Sequence, residues 1–190
     1  MEILAKEDFE FRKEEILHKI KKGALFIHPT DTIYGIGCDA TNSEAVAQVR
    51  AAKERQDNPF SIIAPDKDWI KENCELNGKA KKWLDKLPGP YTLILNLKNK
   101  EAIAPNVNPG KDSVGVRIPD HWFAKAVEEL GIPIITTSVN KAGEDRMTST
   151  EDIHVDIRAR VDFIIYEGQK DGKPSTIVDL TGDEEKVISR

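Results

Sequence analysis

The chain has 190 residues, 39% hydrophobic and 32% charged, with a formal net charge of -5. A domain of this length buries roughly 70% of the surface its unfolded form exposes, so no metal or disulfide staple is required. Net acidity excludes a whole-surface polyanion binder but leaves room for a focused positive cavity, and neither the charged start MEILAKEDFEFRKEE nor any later apolar run reads as a signal peptide or membrane span. Cys38 and Cys74 lack zinc-ligand spacing and read as reduced thiols. The expectation is a soluble, cytoplasmic protein with residues 1–190 in a single domain.

Apolar periodicity predicts a first helix over Asp8–Lys22, with Ile16, Leu17 and Ile20 on one face and Gly23 as its stop. Ala24–His28 reads as a buried strand, and Pro29 places the following Thr30–Gly37 at a strand end, where chain turns present function. A helix at Ser43–Lys53 and a strand at Phe60–Ala64 follow, then helices at Asp66–Asn73 and Asn77–Leu87. After the breaker run Leu87-Pro88-Gly89-Pro90 come strands at Tyr91–Leu97, Ser113–Ile118, Ile132–Thr137, Asp162–Tyr166 and Ser175–Leu180, and a last one at Lys186–Ser189. Helices intervene at His121–Leu130 and Thr150–Arg160, with Asp120 expected as cap and His121 in the first turn. Helix and strand alternate early and strands crowd late, which points to an α/β fold with a mixed sheet covered by helices.

Several segments gather polar side chains at strand ends. Thr30-Asp31-Thr32-Ile33-Tyr34-Gly35-Ile36-Gly37 packs hydroxyls, a carboxylate, a phenol and two glycines after a buried strand, which suits either a small polar ligand or a turn whose Asp31 and Thr32 cap backbone. Lys53-Glu54-Arg55 at a helix end either offsets the macrodipole in solvent or clamps an anion. Arg117, in a buried-looking strand, requires an anionic partner or access to a cleft. Thr136-Thr137-Ser138-Val139-Asn140 puts hydroxyls and an amide at a carboxyl strand end, where open α/β sheets collect ligands, or forms a simple turn. Ser175 and Thr176 open another strand. No P-loop, Ser/His/Asp order or His/Cys cluster appears, so the chemistry expected is positioning and charge compensation rather than covalent catalysis.

In order along the chain, PTDTIYGIGCDA, KER followed by NPFSII, PGPYTLIL, VGVRIPDH, TSVN and PSTIVD resemble the YrdC-like family of threonylcarbamoyladenylate synthases, over about Ala24–Leu180. The resemblance implies a twisted mixed β-sheet with flanking helices around a large, locally positive cavity. It also implies the condensation of L-threonine, bicarbonate and ATP, with Mg2+ or another divalent cation and no tightly bound protein-ligated metal. The products are threonylcarbamoyl-adenylate and pyrophosphate. A separate transferase complex takes the threonylcarbamoyl group to tRNA, so any tRNA contact of this chain is indirect. By the same resemblance Lys53 and Arg55 are the catalytic cations. Thr32, Tyr34, Lys53, Arg55 and Ser138 hold threonine or bicarbonate, and Lys53, Arg55, Ser61, Arg117, Ser138, Asn140, Ser175 and Thr176 meet the nucleotide. The chain departs from the family pattern at Gln56, Phe60 and Val139, and its end at Arg190 leaves out the extra domain of the longer relatives. The alternatives are a relative of different activity, which tends to lose the Ser-x-Asn block, and an RNA-binding module.

Overall fold

The computed structural model describes residues 1–141 and 143–188. Ser189, expected to end the last strand, and Arg190 lie outside the described residues. The strands are β1 (Glu2–Leu4), β2 (Phe26–His28), β3 (Gly35–Gly37), β4 (Ser61–Ile63), β5 (Tyr91–Asn96), β6 (Ser113–Arg117), β7 (Ile134–Ser138), β8 (Phe163–Ile165), β9 (Thr176–Asp179) and β10 (Lys186–Ile188). They form one mixed sheet in the order β1-β8-β2-β3-β7-β4-β6-β5-β9-β10. The β1–β8, β2–β8, β4–β6 and β5–β9 pairs are parallel, and the remaining neighbours run antiparallel. The helices are α1 (Lys6–Phe11), α2 (Lys13–Lys21), α3 (Ser43–Lys53), α4 (Lys67–Asn73), α5 (Gly78–Leu84), α6 (Trp122–Leu130) and α7 (Val155–Arg160). No described helix is long and apolar enough to cross a membrane.

Most predicted elements stand, and the exceptions have local causes. The expected single helix over 8–22 breaks at Arg12, which leaves helical geometry (φ -109°, ψ 20°) while its guanidinium bonds Glu2 and Glu15. The expected helix over 150–160 is a 3-10 turn at Thr150–Asp152 followed by α7, because Asp152 Oδ2 accepts from the Thr148 and Ser149 amides and the Thr148 hydroxyl. The cap of α6 is His121 and not Asp120: His121 Nδ1 accepts from the Phe123 amide, while the Asp120 amide donates to Asp31 Oδ2. β1 pairs with β8, Glu2 opposite Phe163, and carries no local strand signal. Gly35–Gly37, read as part of a turn, is a strand between β2 and β7. Glycine is required there, since a Cβ on Gly35 would sit 2.9 Å from both His28 Nε2 and Thr136 Oγ1.

Strand alternation assigns the two faces of the sheet. One face presents Ile36, Ile62, Leu93, Leu95, Val114, Val116, Ile135 and Val178 to a core that includes Ala45, Val46 and Val49 of α3 and Ile157 of α7. The opposite face is divided. Phe26, Ile63, Ile134, Phe163 and Ile165 pack under Phe9, Ile16 and Ile20 of α1 and α2 and under Phe123, Val127 and Leu130 of α6. Farther along β4 and β7, and on β3, β5, β6 and β9, the side chains of this face become small and polar, and a cavity opens.

Candidate active site

The cavity holds about 620 Å³, within the range of small-molecule sites. Its wall is read off the strands in steps of two: Thr92 and Ile94 on β5, Ser113, Gly115 and Arg117 on β6, Thr136 and Ser138 on β7, Ile177 and Asp179 on β9, with Gly35 on β3 and Ser61 on β4. Ser61 lies opposite Gly115 on one side and Thr136 on the other, so the middle of the wall carries almost no side-chain bulk. The resulting surface is rich in hydroxyls that can donate or accept.

Of the residues expected at a site, Tyr34, Arg55, Ser61, Arg117, Ser138, Asn140 and Ser175 line this cavity. Thr32, Lys53 and Thr176 do not form its wall. Thr176 is out of phase with Ser175, Ile177 and Asp179, and strand alternation sends it to the other face. Thr32 is buried, its hydroxyl shared with Thr30 Oγ1 at 3.0 Å and with the Arg117 guanidinium at 3.3 Å. Lys53 ends α3 and points beneath the loop after β7, where its ammonium donates to Ser138 O (2.5 Å), Asn140 O (2.7 Å) and Asn140 Oδ1 (3.2 Å). Burial, and secondarily the charge of Arg55, push its pKa down to about 7.

Arg55 is half-buried in the wall beside Pro59 and Phe60. Among the described residues no carboxylate pairs with its guanidinium, its buried Nε has no hydrogen-bond partner, and burial alone lowers its pKa. An uncompensated cation in such a place is costly unless an anion arrives. The loop that presents it is organised by Arg50, one turn earlier on α3. The Arg50 guanidinium donates to the carbonyls of Arg55, Gln56, Asn58, Asn106 and Val107 and lies 4.4 Å from the centroid of the Phe60 ring.

Arg117 has the anionic partner its burial demands: Asp31 Oδ1 lies 2.5 Å away, with the two side chains 6% and 10% exposed. Asp31 Oδ2 is taken by the Asp120 amide, so this carboxylate ties the loop after β2 to the end of β6. Tyr34 borders the cavity, but its ring packs in the apolar core and stacks on Tyr166 with centroids 5.7 Å apart, while its hydroxyl donates to Gly168 O (2.6 Å) and accepts from the Glu167 amide (3.1 Å). Burial pushes the phenol up to about 12, keeping it a donor. Ser175 Oγ bonds Thr92 Oγ1 at 2.7 Å across the β5–β9 pair.

Arg146 also lines the cavity and donates to Gly172 O at 3.1 Å, a residue that sequence reasoning passed over because it stands in a loop with no flanking pattern. Arg50 was hidden as an ordinary helix-surface cation. Among the described residues no three His, Cys, Asp or Glu side chains converge as a metal cage. Asp145 and Asp179 belong to the wall, Asp179 with Oδ1 accepting from the Thr181 amide and hydroxyl, and carboxylate oxygens of this kind suit a hydrated hard cation such as Mg2+.

A polar cavity hollowed in one face of a mixed sheet, with three arginines in its wall, defines an α/β protein with a pocket of small-molecule size. The Sua5/YciO/YrdC family model, described as telomere recombination, matches residues 18–190, and the chain belongs to that family. A Methanocaldococcus jannaschii protein whose name assigns it provisionally as a threonylcarbamoyl-AMP synthase is 42% identical over 97% of this chain and 84% of its own length. The threonylcarbamoyl-AMP synthase of Bacillus subtilis is 34% identical over 90% of this chain, which spans only 47% of that relative. The crystal structure of P. abyssi Sua5 complexed with L-threonine superposes with a TM-score of 0.85 at 29% identity, covering 98% of this chain and 56% of that one.

Proposed function

We propose that this protein is a threonylcarbamoyl-AMP synthase: it joins L-threonine, bicarbonate and ATP into threonylcarbamoyl-adenylate, releases pyrophosphate, and supplies a transferase complex that modifies tRNA. The observation that carries the reading is the guanidinium of Arg55, which pairs with no carboxylate among the described residues and rests beside the Phe60 ring (5.8 Å to its centroid), in a cavity whose wall also holds Arg117 and Arg146. Similarity to named synthases over nearly the whole chain supports it. Ser138 and Asn140, which divergent relatives tend to lose, both stand in the wall. The net charge of -5 argues against an RNA-binding module. The expected compartment is the cytoplasm.

In the reaction proposed, the amino group of threonine attacks the carbon of bicarbonate and water leaves, giving a carbamate. A carbamate oxygen then attacks the α-phosphorus of ATP and pyrophosphate departs. The protein contributes position and charge. Arg55 offsets negative charge where carbamate and phosphate meet, and Arg117, its charge matched and its guanidinium fixed by Asp31, gives a rigid hydrogen-bonding floor. Ser61, Ser138, Asn140 and Ser175 supply hydrogen bonds to the nucleotide, and Tyr34 borders the amino-acid end. Asp145 and Asp179 are the side chains that would meet a divalent cation, which supplies charge neutralisation on the phosphates.

The test is pyrophosphate release from ATP, followed with and without threonine, bicarbonate and Mg2+. Release should require all of them, and Arg55→Ala should lower it by about 100-fold or more, as for loss of one charge-stabilising group. Folded wild-type protein that releases no pyrophosphate in the complete mixture overturns the proposal.

A further inference from the structure

Lys53, Glu54 and Arg55 are consecutive, yet their side chains go to three destinations. Lys53 runs inward beneath the loop after β7, Glu54 meets Lys141 at 2.6 Å outside that loop, and Arg55 enters the cavity wall. The divergence comes from Glu54, which caps α3 in the left-handed region (φ 52°, ψ 39°). That conformation is usually left to glycine, at a cost of about 1–2 kcal/mol for other residues.

We propose that Lys53 is a positioning residue: it holds the Ser138–Asn140 backbone in the cavity wall from behind, and Arg55 is the member of the pair that meets the substrates. An ammonium has three N–H donors and no acceptor. All three find oxygens here, on Ser138 O, Asn140 O and Asn140 Oδ1, and the side chain is 2% exposed. Nothing remains to offer a ligand unless the loop moves. The bond to Asn140 Oδ1 also fixes the orientation of that amide. Its oxygen accepts from Ser138 Oγ at 2.6 Å and its nitrogen donates to Glu144 O at 2.8 Å. One buried cation therefore sets the Ser138 hydroxyl, the Asn140 amide and the start of the segment that carries Arg146. Lys141 grips the same segment from outside, with Glu54 and Asp156 each 2.6 Å from its Nζ.

The activity arm of the test rests on the synthase reading, whereas the structural arm does not. Amide hydrogen exchange over 138–147 and steady-state synthesis are measured for wild type, Lys53→Met and Lys53→Arg. Lys53→Met should speed exchange of these amides at least tenfold and raise the KM for ATP about tenfold. Combined with Asn140→Ala, its effect on ATP affinity should be less than multiplicative, because both changes act through one loop. Loop protection unchanged in Lys53→Met while ATP affinity falls, with multiplicative effects, overturns the proposal, since the ammonium would then meet the ligand itself. Should Lys53→Met fail to fold, Lys53→Arg decides. Protection and synthesis retained together, or lost together, support the positioning role. One retained without the other overturns it. A wild-type protein that releases no pyrophosphate defeats the synthase reading alone, and the exchange arm still tells whether Lys53 holds the loop.

Discussion

One face of the sheet is two different surfaces that meet on β4 and β7. On β4, Ile63 packs under helices while Ser61, two residues earlier, lines the cavity; on β7, Ile134 is core while Thr136 and Ser138 are wall. Phase is identical in each case, so alternation alone does not decide what a position becomes. Side-chain volume and polarity do. A fully buried Ile or Phe contributes about 1.5–3 kcal/mol and draws α1, α2 and α6 onto the sheet, whereas Gly, Ser and Thr give a helix nothing to bury against. The open half is therefore paid for by the closed half, and by the unbroken apolar layer beneath both.

The largest effect on this contrast should come from Arg117→Ala, which strips the charge from a buried pair and leaves Asp31 uncompensated. The expected loss is about 3–5 kcal/mol, a fall of roughly 10 °C in Tm, together with loss of synthesis. An unchanged melting curve would show that Asp31 is stabilised by other means. Next is Gly115→Val, which makes the open half resemble the closed one. Its Cβ would lie 3.0 Å from Ser61 Oγ and 3.2 Å from Thr92 Cγ2. Affinity for ATP should fall about 100-fold while stability changes by only about 1–2 kcal/mol. Calorimetric titration and thermal melts separate the two, and full affinity in the variant would place the nucleotide away from β6.

Per pH unit, the smallest effect expected is in pH dependence. The pKa of Lys53 in the folded protein is lowered to about 7 from 10.5. Below about pH 7 both folded and unfolded states hold its proton, and the folded state carries the full penalty of a buried cation. Between pH 7 and 10.5 only the folded state releases it, so this group makes stability rise with pH, by up to about 1.4 kcal/mol per pH unit. The difference in unfolding free energy between wild type and Lys53→Met, followed from pH 6 to 9, isolates the contribution. A flat difference would mean that the three acceptor oxygens keep the ammonium charged throughout.

What could be read without coordinates was whatever had a local signal. Strand and helix patterns located most elements, polar residues at strand ends marked the cavity, and the cost of a buried charge foretold a partner for Arg117. β1 escaped because its pairing with β8 lies far away in the chain. β3 escaped because Gly35 and Gly37 are there to let His28, Phe26 and Thr136 approach, a demand set by neighbouring strands. The choice between Ser175 and Thr176 was legible in retrospect, since Val178 and Leu180 share the phase of Thr176 and belong to the core. The divergence of Lys53 from Arg55 was not, because nothing in the letters KER announces a left-handed glutamate.

The place of β7 between β3 and β4 has a temporal consequence. A nascent chain that ends at Leu130 has already produced α1 through α6, but its strands can form only two separate sheets, β2 with β3 and β4 with β6 and β5. Until residues 134–138 emerge, Gly35 and Ser61 have no common neighbour. The floor of the cavity thus comes into being at a late step of synthesis, when one strand stitches two half-built sheets together, and its far wall waits longer still, for Arg146, Ser175, Ile177 and Asp179.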